Sequence, residues 1–325
     1  MDQNIKKGII MWFAVAAGFS TLLLTITILL TRTSGVQTQP LIDIGVLISN
    51  DFRKPTVDGL QDGLEGLEIK NFSINLKNAN GDLNRLSQLA QAMATENLDY
   101  ILAIGGIELE AVSKIKTDIP VFFADVNLPE RRGFNFPGIK NTYSERTSER
   151  LSIAKEIFPA VKEFFILTSS TNIAGLVSLE EAKKWEGKNL DHQITIIDVN
   201  TPEELDHFIN NINKNKGVLF LTPPAIIQDR SGKIIQSAIK AGLPVVGFNE
   251  QMTFEGAIFS YGEDRYSMGF AAANLLANAI RNPLKDRKVD IRNVEPVLTV
   301  NLKTADKLGI EMGEKILIQA QTIVK

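Results

Sequence analysis

Polar residues gather where the apolar runs of this chain end. Asn50, Asp51 and Phe52 follow the run Ile42–Ser49, and Gly105 and Gly106 follow Asp99–Ile104. Asp125 and Asn127 close Asp118–Asn127, and Ser169, Ser170 and Thr171 follow Glu163–Thr168. Thr222 ends Gly217–Thr222, Asn249 and Glu250 end Gly242–Glu250, and Tyr261 lies at the end of Gly256–Gly262. The carboxylates in this set, Asp51, Asp125 and Glu250, are of the type that does general acid–base work. They are equally the acceptors that hold a polar ligand or tie two surfaces together. The second reading is the ordinary one, because the partners of catalysis are missing. His192 falls in an expected surface turn and His207 on a polar helix face, both as solvated side chains. No Gly-x-Ser-x-Gly elbow, phosphate loop or dinucleotide fingerprint occurs. The chain has no Cys, which removes thiolate nucleophiles, thiolate metal sites and disulfides together. No enzyme activity, cofactor or metal site is expected. Gly105–Gly106 reads either as a tight strand-to-helix turn or as a place where a ligand approaches the backbone and the next helix start. Phe52, in a polar loop, is the aromatic residue best placed for exposure, whereas Phe123 and Phe248 read as core.

The elements that position these residues alternate. Short apolar runs bounded by turn residues read as buried strands, and amphipathic segments between them as helices. The stretch Asp99–Asn127 is one strand–helix–strand unit, expected to be parallel with a right-handed crossover. It has an echo in Gly217–Glu250, and in both copies the second strand is entered through Ile-Pro-Val or Leu-Pro-Val. Thr201-Pro-Glu-Glu204 reads as a capping box with Pro at the first helical position. Length and an apolar content of 44% allow two domains with real cores. The expected architecture is α/β: two doubly wound parallel-sheet lobes joined by a hinge, with 41–143 and 249–290 in the first lobe and 144–248 and 291–325 in the second. Ligands of such sheets bind outside the carboxyl ends of the strands, so the polar strand ends are expected to face one another across a cleft.

Gly8 to Leu30 carries no charge and follows Lys6 and Lys7. A segment of about 20 apolar residues spans a bilayer, and the preceding lysines favour a cytoplasmic start. The expectation is a cytoplasmic stretch 1–7, an uncleaved membrane anchor 8–31 and a linker 32–40. The rival is a cleaved signal peptide, which has a shorter apolar region and a small-residue exit. On either reading the folded part lies on the periplasmic or extracellular side. A net charge of −3 argues against a nucleic-acid partner.

Several segments carry a resemblance: Ile44-Gly-Val-Leu, Asn78-Ala-Asn-Gly-Asp82, Asp99-Tyr-Ile-Leu-Ala-Ile, Ile119-Pro-Val-Phe-Phe, Tyr261-Gly262 with Gly269, and above all Val300-Asn-Leu-Lys-Thr-Ala-Asp-Lys-Leu-Gly-Ile310. From about Leu41 onward the chain resembles ABC-transporter substrate-binding proteins of the tryptophan/tyrosine-uptake type, with the type I periplasmic-binding-protein fold. The resemblance implies hinged lobes closing on a small polar or aromatic molecule and an ABC permease as partner. The alternative is a membrane-tethered sensory domain that signals through a partner protein. Members of that family often carry Thr-Asp-Pro where this chain has Asn127-Leu-Pro129, Thr-Asp at Pro223-Pro224, and Ser-Asp-Glu at Phe248-Asn249-Glu250. A lost Asp at such places is a lost partner for a ligand ammonium, which leaves Asp125 and Glu250. The family's lipid-anchored Cys is absent too, and the apparent span stands in its place.

Overall fold

The computed structural model describes residues 40–212, 217–282 and 289–325. The expected membrane anchor 8–31, the stretch 1–7 before it, nearly all of the linker 32–40, and the stop and charged loop at Pro283–Lys288 lie outside the described residues. Among the described residues no helix is long and apolar enough to cross a membrane.

Among the described residues thirteen strands form two sheets. The first lobe is built on β1 (Ile42–Ile48), β2 (Phe72–Asn78), β3 (Tyr100–Ile104), β4 (Val121–Asn127) and β5 (Gly138–Asn141). The second uses β6 (Glu163–Thr168), β7 (Gln193–Asp198), β8 (Val218–Leu221), β9 (Val245–Gly247) and β10 (Phe259–Gly262). The short β11 (Ile291–Arg292) returns to the first sheet, while β12 (Val297–Asn301) and β13 (Thr322–Val324) complete the second. The orders are β11-β5-β4-β3-β1-β2 and β13-β12-β10-β9-β8-β6-β7. All recorded pairings are parallel except β10 with β12. The central strands are apolar on both faces because helices cover both faces. β1 and β3 accordingly bury Ile44, Val46, Ile48, Leu102 and Ile104 almost completely. Strand order reverses between β1 and β3 in one sheet and between β6 and β8 in the other, with all four strands parallel within their pairs. The carboxyl ends at those switch points are where α/β sheets bind ligands.

Among the described residues three crossings join the lobes: Thr142–Arg146 after β5, Glu263–Asp264 after β10, and 293–296 between β11 and β12. The second lies later than the expected boundary at Asn249. Residues 249–262 belong to the second lobe, because Phe259 and Ser260 pair with Val246 and Gly247 while Phe259–Gly262 pair with β12. Helix Glu250–Glu255, read from sequence as a strand's polar end, sits between them. The final segment also divides differently: 291–292 is in the first lobe, and helix Glu314–Gln319 followed by β13 closes the second.

The first lobe is closed by helices Lys54–Gly66 and Arg265–Arg281, which touch through glycines. A β-carbon on Gly59 would lie 2.0 Å from the Tyr266 carbonyl oxygen, and one on Gly63 2.6 Å from Ala273 Cβ. In the second lobe Phe164, Trp185 and Phe220 form an aromatic core that also takes in His192. His192 is not solvated as expected. Its ring stacks on Phe164 at 5.5 Å and meets Trp185 edge-on at 5.3 Å. Nδ1 bonds Asp191 at 2.9 Å, and Nε2 is buried without a partner among the described residues. The turn is short enough to fold this ring under the sheet edge, where it packs as an aromatic.

The capping box forms as read. Thr201 Oγ1 accepts the Glu204 N–H at 3.2 Å, and Glu204 Oε2 accepts the Thr201 N–H at 3.3 Å. Thr201→Ala is expected to lower stability by about 1 kcal/mol, measured as a shifted urea midpoint at constant slope.

Candidate ligand-binding cleft

The first wall begins at the end of β1. Asn50 is extended and its side chain accepts the Phe52 N–H at 3.1 Å, opening a single 3-10 turn over Asp51–Arg53. That turn throws Phe52 outward, 42% exposed, and lays Arg53 back over the ends of β3 and β4. Asp51 stays at the surface with Lys54 and Asn78. Arg53 Nη1 donates to Asp125, and its Nε lies 3.6 Å from Glu108 Oε1. Burial draws the Arg53 guanidinium down, but Asp125 and Glu108 outweigh it and hold the group above its ordinary range. Its Nη2 edge carries no protein hydrogen bond among the described residues.

Asp125 is held by an irregularity in the sheet. β4 and β5 pair Ala124 with Ile139 and then Val126 with Lys140, so Asp125 is the extra residue of a bulge. Its φ is +54°, a left-handed conformation that is uncommon for a non-glycine residue. The bulge turns the carboxylate among three donors: Oδ1 accepts from Asn141 at 2.7 Å, and Oδ2 accepts from Arg53 and from Arg265 Nε at 3.3 Å. At 2% exposure both oxygens are used within the protein.

The two glycines make room for side chains. A β-carbon on Gly105 (φ +115°) would lie 2.3 Å from Glu108 Oε2 and 2.8 Å from Arg53 Nη2; one on Gly106 would lie 2.1 Å from Arg132 Nη1. The turn reading and the close-approach reading thus meet here, with the protein's own ions as the approaching groups. Glu108 Oε1 accepts the Ser49 N–H at 2.8 Å, while Oε2 is buried with no hydrogen-bond partner among the described residues. Arg132 donates to the Gly106 carbonyl and to Glu110, and burial lowers its basicity.

On the second wall Asn172 is the helix cap, accepting the Ala174 N–H at 2.9 Å. Ser170 donates to Asp198 from both its N–H and its hydroxyl, and Ser169 and Thr171 donate to Asn200. Thr222 is fully buried and donates to the Leu167 carbonyl at 2.8 Å. Asn249 is buried and caps helix Glu250–Glu255 through the Met252 N–H. Ser169, Thr222 and Asn249 therefore shape the wall from behind, whereas Ser170, Thr171 and Glu250 keep some surface. Asn127 and Tyr261 sit at the hinge: Asn127 bonds Asn141 and Ser144, and the Tyr261 carbonyl accepts from Arg150.

Two acids of the second wall stand without an ion pair among the described residues. Burial, reinforced by Asp264, pushes the Glu250 carboxyl up; its Oε1 accepts only the Arg265 N–H at 3.4 Å. Asp229 opens onto the cavity, yet its protein surroundings push its carboxyl up, while Arg53 of the opposite lobe draws it down and Glu108 adds to the rise. An open cavity of about 580 Å³ runs between Phe52 and residues Asp206, Asp229, Arg230, Ser231, Lys233 and Glu255. Among the described residues no cluster of three or more His, Asp or Glu could hold a metal ion.

Arg53, Glu108, Arg132, Asp229 and Arg265 were not marked by the sequence. Arg53 directly follows the flagged Asn50–Phe52, and Glu108 is an acid in the first turn of a helix, so both had a local signal. Asp229 and Arg265 had none.

Two parallel-sheet lobes, three crossings and a charged cleft at the strand ends define the type I periplasmic-binding-protein class. The chain belongs to the ABC transporter substrate-binding protein family, whose model matches residues 41–324. That family binds solutes for ABC permeases and is not enzymatic. No curated protein sequence matches the chain. Among solved structures, a "conserved domain protein" from Vibrio cholerae is similar at 22% identity and TM-score 0.72, covering 87% of this chain and 98% of its own. An ABC domain from Streptococcus pneumonia, in complex with L-Trp, has 17% identity and TM-score 0.73 over 88% and 100% of the two chains. A ligand-free, open substrate-binding protein with adhesive properties from Clostridium difficile has 18% identity and TM-score 0.64 over 88% and 99%. At these identities the likeness is one of fold.

Proposed function

We propose that this protein captures a small zwitterion between its lobes and presents it to an ABC permease. The single observation behind this reading is the polarity of the cleft. The first wall offers the unbonded edge of an anchored guanidinium, Arg53, which suits a carboxylate. The second offers Asp229 and Glu250, acids without a cation. A molecule with an anionic and a cationic end satisfies both walls at once and draws them together. Exposed Phe52 gives an aromatic face at the mouth, and the L-Trp complex of the streptococcal relative is consistent with such a ligand. The domain works outside the cytoplasm, tethered by segment 8–31, as the uncharged stretch behind two lysines supports. Transport is preferred to sensing because the family match runs over 41–324.

Calorimetry with L-tryptophan, tryptamine and indole-3-propionate tests the charge assignment. The zwitterion is expected to bind more tightly than either half-charged analogue, by about tenfold or more for each lost ion contact. Binding of none of the three, or equal binding of all, would refute it. Asp229→Asn and Glu250→Gln are each expected to weaken the zwitterion about tenfold.

The pH dependence follows from the same acids. Burial raises both carboxyls above their ordinary values, and a ligand cation needs them ionised. Affinity is therefore fully present above that raised range and declines as pH falls through it. Titration in buffers of different ionisation heat should show proton release on binding near that range.

A further inference from the structure

We propose that Asp125 is a positioning residue that couples the cleft wall to the hinge. Its carboxylate meets three groups with three different destinations. Arg53 faces the cleft. Asn141 is the last residue of β5, immediately before the first crossing, and its Oδ1 accepts from Asn127, which in turn accepts from Ser144 on that crossing at 2.8 Å. Arg265 follows the second crossing directly, and its backbone N–H reaches Glu250 of the second lobe. One buried group thus joins a cleft-facing cation to both crossings: one arm ends on Ser144 of the first crossing and the other on Glu250 of the second lobe.

The electrostatics make the junction sensitive. Two guanidiniums share Oδ2, and only Arg53 has a second carboxylate beside it, Glu108. When the outer edge of Arg53 engages an anion, its hold on Asp125 weakens in proportion, and Arg265 and Asn141 take more of the carboxylate. Both arms then tighten toward their crossings. The left-handed backbone of Asp125 is a strained conformation for a non-glycine residue, and it places the carboxylate where the three donors converge. The coupling arm rests on the proposed ligand reading, but the hinge arm does not.

The chain has no cysteine, so the full-length protein can be labelled at Leu83→Cys and Ile173→Cys. These are exposed positions, 63% and 39% accessible, at the first residue of helix Leu83–Met93 in the first lobe and of helix Ile173–Glu186 in the second. Distance distributions between spin labels, recorded without ligand, read the lobes directly. Asp125→Asn is expected to shift the closed-to-open ratio about fivefold or more, a typical coupling size. Arg265→Lys and Asn141→Ala, which keep Asp125, are expected to shift it in the same direction. They also carry the test if Asp125→Asn does not fold. Distributions that superimpose on those of the parent, with only a lower melting temperature, would make Asp125 a strut and overturn the proposal. Because the hinge arm needs no ligand, a failure of L-tryptophan to bind would refute the zwitterion assignment and leave the hinge result standing.

Discussion

Gly269→Ala is expected to destabilise the first lobe by about 3 kcal/mol, the upper end of the usual cost of overpacking. A β-carbon there would stand 2.0 Å from the Thr56 carbonyl oxygen, 2.8 Å from its carbon and 2.9 Å from the Leu60 nitrogen. All three are backbone atoms of helix Lys54–Gly66, so no rotamer change relieves the clash. The helices would have to part, and Gly59 and Gly63 would lose their close approach on the same seam. Against a total stability of about 5–15 kcal/mol, this corresponds to a melting temperature lower by roughly 6–12 °C for a domain of this size. The effect should also reach the site, because helix Arg265–Arg281 begins with the arginine that bonds Asp125. Calorimetry and ligand titration on one sample would show both. An unchanged melting temperature would mean that the seam can open without cost.

Much of the architecture was legible because parallel strands buried on both faces leave a plain mark. Ile101–Ile104 and Val218–Leu221 are continuous apolar runs, and their partners are entered through Pro120 and Pro244. Short elements were less legible. β11 is two residues long, and helix Glu250–Glu255 follows a strand whose polar end looks like its own cap. The second crossing was misplaced for a tertiary reason: Phe259–Gly262 has the composition of a strand in either lobe, and only its pairing with β9 and β12 decides. In the site, strand-end loops were foreseeable, since that is where such sheets present polar residues. The ion network was not. Arg53, Glu108, Asp125 and Arg265 are brought together by topology across more than half the chain, and no local spacing links them. Burial also inverts the local reading: Asp125 looked like a ligand contact, but its bulge turns it inward, where it holds an arginine in that position.

Glu263→Ala is expected to be comparably costly, about 3 kcal/mol, and to loosen the hinge as well. The Glu263 side chain is fully buried on the second crossing. Its Oε2 accepts the Thr142 N–H at 3.0 Å, its Oε1 accepts the Thr142 hydroxyl, and Arg146 Nε lies 3.4 Å from Oε1. One carboxylate therefore laces the first crossing to the second. Nearby, the Tyr143 hydroxyl donates to the Glu263 carbonyl at 3.1 Å. Removing one partner of a buried ion pair costs about 3–5 kcal/mol when the other charge is stranded. Here Arg146 is partly exposed and keeps Glu149, so the charge is not stranded and the lower end applies. The remaining cost comes from the Thr142 N–H, left buried without an acceptor. Glu263→Gln retains an acceptor for that N–H and is expected to cost only about 1 kcal/mol. Equilibrium unfolding of the two variants separates the contributions: equal losses would show that charge alone matters at the hinge, and a larger loss for Ala that the backbone bond does.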